Sequence, residues 1–124
     1  MNRLSLESKL LTNILVIGFN RRTNRSGKKG DLRRMICTKS DYVLNSTQGR
    51  FNLNFRNPKH GGPSYDESKT NTIIVWDILV QDYRQIPCES IFIIDEIPEK
   101  MFWKYYNDQL RTMSKQDKIK FMHG

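Results

Sequence analysis

The stretch TIIVWDILV, residues 72–80, decides the fold. Its β-branched and aromatic side chains suit a buried strand. Outward from it, Asp82-Tyr83-Arg84 continues into a second strand ended by Pro87, and SIFIIDEI (90–97) reads as a third. Upstream, NILVIGFN (13–20) is a further apolar strand. DLRRMICT (31–38) alternates, with Leu32, Arg34, Ile36 and Thr38 on one face and Arg33, Met35 and Cys37 on the other. Between those two, RRTNRSGKKG (21–30) is rich in turn formers. The unit is a β-hairpin with a long cationic tip.

Helical signals are fewer. Residues 5–11 read as a helical turn or a short helix, and 41–45 as a short helical turn. Pro98 suits the start of a helix, with Asp95 and Glu96 nearby to complement its dipole. Met101, Phe102, Tyr105, Tyr106, Leu110 and Met113 recur at amphipathic spacing. Ser114 and Asp117 resemble a capping box that opens a last short helix. Residues 46–70 form a long polar insert without clear periodicity, a pattern of functional or mobile connectors. Phe51, Leu53 and Phe55 alternate within it as in a short strand, before PKHGGP (58–63) breaks the pattern.

A chain of 124 residues amounts to one domain. The expected architecture is mainly β with α: a small barrel of about five strands, whose closure removes exposed edges. The barrel covers 1–97 and a C-terminal helical extension covers 98–124. There is no internal repeat.

Charge is segregated. Residues 1–63 carry thirteen Lys/Arg against Glu7, Asp31 and Asp41, whereas residues 64–124 carry eight against ten acids. Seven cations crowd into 21–34: Arg21, Arg22, Arg25, Lys28, Lys29, Arg33 and Arg34, opposed only by Asp31. Such crowding attracts a polyanion or an acidic protein face. Cys37 and Cys88 are far apart and outside any CxxC pair, so free buried thiols in a reducing cytoplasm are expected. Leu10 to Phe19 is too short and interrupted for a secretory core or a membrane span. The chain has no alanine and much Ile, Asn and Lys, a bias that AT-rich codons produce.

The run Arg33-Arg34-Met35-Ile36-Cys37-Thr38 is followed by a variable insert, by Ile74-Val75-Trp76-Asp77, by Asp82-Tyr83-Arg84-Gln85-Ile86 and by Ser90-Ile91. Together these resemble the small SH3-like β-barrel proteins of T4-type tailed phages, over about residues 30 to 95. The resemblance implies an SH3-like barrel and a phage source, and carries no catalytic residues. The basic loop, the long insert and the C-terminal helix depart from the family pattern.

The seven cations of 21–34 are the candidate site, able to neutralise phosphates without reading sequence. A merely solvated loop, or a grip on an acidic host protein, remains open for the same residues. Phe51, Phe55, Tyr65 and Tyr83 lie near cations and are candidate stacking platforms. Tyr83 and Arg84 are both candidates for stacking or for anchoring a partner, and on a strand they point to opposite faces. Trp76 is expected in the core. Trp103 and Tyr106, in a dense aromatic group with Phe102 and Tyr105, either dock on the barrel or anchor a partner. His60 with Glu67 and an arginine is the remote alternative of a small ribonuclease. His60 and His123 give no metal-ligand spacing, and KKGD (28–31) is not a P-loop. The expectation is a non-enzymatic cytoplasmic protein without metal or cofactor. It contacts RNA or DNA backbone or, alternatively, serves as an adaptor or inhibitor of a host machine in transcription or defence.

Overall fold

The structure, a computed structural model, describes residues 2–21, 30–47 and 70–123. Helix α1 (Arg3–Thr12) comes first, capped by Asn2, whose Oδ1 accepts the Leu4 N–H at 2.8 Å. Strands β1 (Asn13–Asn20) and β2 (Leu32–Thr38) pair antiparallel from Ile14–Thr38 to Asn20–Leu32. Helix α2 (Asp41–Thr47) follows; the buried Ser40 hydroxyl accepts the Val43 N–H at 3.3 Å at its start. Strands β3 (Thr72–Asp77) and β4 (Asp82–Pro87) form a second hairpin, and β5 (Phe92–Pro98) returns to pair with β1. The sheet order is β4-β3-β2-β1-β5, every neighbour antiparallel.

Pro98 leads into a 3-10 turn (Glu99–Met101), helix α3 (Phe102–Tyr105) and a π turn (Tyr106–Leu110). Helix α4 (Lys115–His123) comes last. Its expected capping box is present: the Ser114 hydroxyl accepts the Asp117 N–H at 3.1 Å, and the Asp117 carboxylate accepts the Ser114 N–H at 3.4 Å.

The sequence-based expectation of a closed barrel needs correction, because the sheet is open. β4 and β5 are its two edges, and among the described residues no ladder joins them. The reason lies in burial. A closed small barrel has one interior, but β1 is buried at every position from Ile14 to Phe19. Leu15, Ile17 and Phe19 enter one cluster with Met35, Ile73 and Ile86. Ile14 and Val16 enter a second with Ile36, Trp76, Phe102 and Leu110. Each face therefore needs its own cover. Leu6 and Leu10 of α1 supply it on the first face, and α2 with the C-terminal helices on the second. Leu6 and Leu10 share their cluster with Ile86 of β4 and Ile91 just before β5, so a helix seals the core where strand pairing would otherwise have to.

A second correction concerns residues 72–80, which are not one strand. β3 ends at Asp77, and Ile78, Leu79 and Val80 form a turn. Asp77 causes it: its Oδ1 accepts the N–H of Leu79 at 3.0 Å and of Val80 at 3.1 Å, while its carbonyl accepts the Gln81 N–H at 2.7 Å. Gln81 closes the turn with φ 60°.

If α1 is structural cover, Leu10→Ala costs about 2–5 kcal/mol in urea unfolding, because it leaves a cavity in the first cluster. Leu11→Ala, at the neighbouring position that is 51% exposed, changes stability by about 0.5 kcal/mol or less.

Candidate anion-binding site

Two strand pairs that part company make the site. β2 and β3 pair only at Cys37–Asp77 and Thr38–Trp76, with one further bond from the Ile78 N–H to the Ile36 carbonyl at 2.9 Å. The other end of β2 is thus left unpaired by β3, and there a cleft of about 670 Å³ opens. Arg21, Arg33, Arg34 and Arg84 line it, with Asp77 and His123. Phe19, Met35, Ile86 and Pro87 give it apolar walls. Thr72 and Gln85, hydrogen-bonded at 2.7 Å, add a hydroxyl and an amide.

Each arginine arrives from a different constraint. Arg21 follows β1 at the root of the hairpin arm, where its N–H donates to the Asp31 carbonyl at 3.0 Å. Gly30 allows that approach, since a β-carbon there would overlap the Arg21 carbonyl. Arg33 and Arg34 are successive residues of β2 and leave opposite faces. Arg34 is held by α4: its Nε donates to the Phe121 carbonyl at 2.9 Å, and its guanidinium lies 4.9 Å from the Phe121 ring centre. Arg33 touches His123 Nδ1 and stands 3.8 Å from the Asp31 carboxylate. Arg84 pairs across the ladder with Val75, so it shares the face of Val75 and Asp77.

Three cations outside the cleft are matched with acids. Arg3 and Lys39 both reach Glu7, at 3.5 and 3.1 Å, and Lys9 meets Glu96 at 2.7 Å. Inside the cleft, among the described residues, Arg21 and Arg84 form no ion pair. Asp31, which meets Arg33, is itself 80% exposed, so water screens that pair heavily.

Among the described residues, Asp77 is the one acid in the wall. It is 3% exposed, and burial pushes its carboxyl above the ordinary 3.8. The Val80 N–H, the Arg84 charge and the Leu79 N–H pull the other way, and Asp82 pushes with burial. Burial, and then the Asp77 charge, push the Cys37 thiol far up; both cysteines are buried and outside any disulfide, as expected.

Three of the seven candidate cations, Arg21, Arg33 and Arg34, thus meet in one place. Arg22, Arg25, Lys28 and Lys29 lie outside the described residues, as do Phe51, Phe55, His60, Tyr65 and Glu67. Arg84 joins the cleft, whereas Tyr83 packs edge-on to Trp76 at 5.0 Å on the other face. Burial, then Asp41, push the Tyr83 phenol up. Trp76 is core, as expected. Trp103 and Tyr106 are half-buried against Phe102, at 5.1 and 5.9 Å between ring centres. Asp77, Thr72, Gln85 and His123 were not foreseen at the site. Strand alternation links Arg84 to Asp77, but nothing in the sequence brings the end of α4 to β2.

Among the described residues no group of His, Cys, Asp and Glu is arranged to hold a metal ion, and no helix is long and apolar enough to cross a membrane. Comparison with known proteins finds no family model, no curated protein and no solved structure that matches this chain.

Asp77 gives the site a pH signature. A carboxyl raised in the folded state adds stability below its unfolded value, near 3.8, and that stability is lost as pH rises through the higher folded value. Asp77→Asn keeps an oxygen for the two N–H donors and removes the charge. The wild-type urea midpoint is therefore expected to fall relative to Asp77→Asn between about pH 4 and 7. Parallel midpoints across that range would assign the titration elsewhere.

Proposed function

We propose that this protein is a non-enzymatic binder of the phosphate backbone of nucleic acid, contacted through the arginine-lined cleft at the root of the hairpin arm. One observation carries the reading: four arginines line a single concavity, with the buried Asp77 as the one acid among its described lining residues. Guanidinium forks match phosphate oxygens two at a time, and the like charges they bring together favour an anion that separates them. Arg22, Arg25, Lys28 and Lys29, which lie outside the described residues, add four positive charges to the chain between Arg21 and Arg33.

An SH3-like origin fits this reading. In such a barrel the last strand returns beside the first, as β5 does beside β1 here, although this sheet stays open. A phage source and a host-directed role in the cytoplasm belong to the same proposal, and the buried free thiols are compatible with a reducing compartment. The adaptor reading would use Trp103 or Tyr106 as an anchor. Their packing against Phe102 favours a structural duty instead.

The test is salt dependence. Arg21→Glu with Arg84→Glu should weaken binding to oligonucleotides of any sequence and flatten the plot of log affinity against log salt. The flattening is about 0.7–0.9 for each phosphate no longer neutralised. Lys104→Glu, an exposed control on α3, should leave the slope in place. An unchanged slope in the double variant refutes the reading.

A further inference from the structure

A convex patch of lysine and arginine suffices to hold a duplex, whose phosphates lie on the outside of a stiff rod. This site is different. Its arginines line a hollow whose walls also include the buried Phe19, Met35, Ile86 and Pro87. At about 670 Å³ it lies within the roughly 300–1,000 Å³ of small-ligand pockets. Beside the apolar wall, Gln85 and Thr72 present an amide and a hydroxyl. A ligand that satisfies every part needs an anionic group, a flat apolar body and hydrogen-bonding edges in one molecule. A nucleotide has all three: phosphate for the arginines, a base face for the exposed plane of Arg84, and a base edge for the exposed Gln85. Arginine serves twice, since its plane also stacks on bases.

We infer that the cleft seats one unstacked nucleotide, so that the ligand is single-stranded nucleic acid and duplex is discriminated against. This inference rests on the phosphate-binding reading above and narrows it. A base inside a duplex cannot reach the hollow without leaving the stack, at the cost of its pairing and stacking. A single strand offers its bases at little cost.

Competition binding tests it. The probe is a labelled single strand of about 12 nucleotides. Its competitors are a blunt hairpin duplex, adenosine 5′-monophosphate, ribose 5-phosphate and inorganic phosphate. The single strand should bind about tenfold or more tightly than the duplex at equal salt, despite the denser charge of the duplex. Adenosine monophosphate should displace the probe at concentrations where ribose 5-phosphate, with the same phosphate, does not. Arg84→Ala, at an exposed position, should weaken the nucleotide about tenfold with an unchanged circular dichroism spectrum. Equal binding of duplex and single strand, with ribose phosphate competing as well as the nucleotide, overturns the pocket inference and leaves the backbone reading standing. Failure of every nucleic acid to bind removes both.

Discussion

Strand β1 is walled in on both sides, and that constraint organises the molecule. A strand buried from Ile14 to Phe19 needs two covers, one for each face. Helix α1 provides the first and the helices after Pro98 the second. A bulge against β5, where the register shifts between Val16 and Ile17, disrupts the ladder and bends the edge strand. The junctions are tied by few polar groups. Thr38, fully buried, donates to the Asn13 carbonyl at 2.9 Å and accepts the Ser40 N–H at 3.0 Å. The Ser40 hydroxyl donates to Glu99 at 2.5 Å. One short polar chain therefore links the start of β1, the end of β2, the start of α2 and the 3-10 turn after β5.

Asp77 converts this frame into a site. Its carboxylate ends β3 early and turns the chain back into β4. Had residues 78–80 continued as strand, they would have paired along β2 and filled the space beside Arg33 and Arg34. The hollow exists because a buried acid stops the ladder, and the same acid lowers the positive potential that the arginines create. Structure and electrostatics are thus set against each other at one residue.

Much of this was legible from the residues alone. β1 is an uninterrupted apolar run, β2 alternates, and Ser114 with Asp117 announces its helix. Those signals are local, and local signals survive into the fold. The failures were not local. TIIVWDILV looked like one strand because Asp77 reads as an isolated polar residue, and its capping role depends on the turn it creates. Closure of the sheet was expected from strand count. Helix α1 is foreshadowed by the helical reading of 5–11, but its role as cover is not, because its leucines fall on two sides: Leu4 with Leu11, and Leu6 with Leu10. Spacing alone does not say which pair plugs the core. The charge cluster at 21–34 was visible, yet Arg84 and His123 come to it through cross-strand register and helix docking, over separations that no window of sequence spans.

The end of α4 also decides how this protein can be handled. Met122 and His123 stand on the rim of the hollow, and Phe121 holds Arg34 through its carbonyl. An affinity handle fused there would hang across the opening, and a polyhistidine one would bring further imidazoles beside the guanidinium groups.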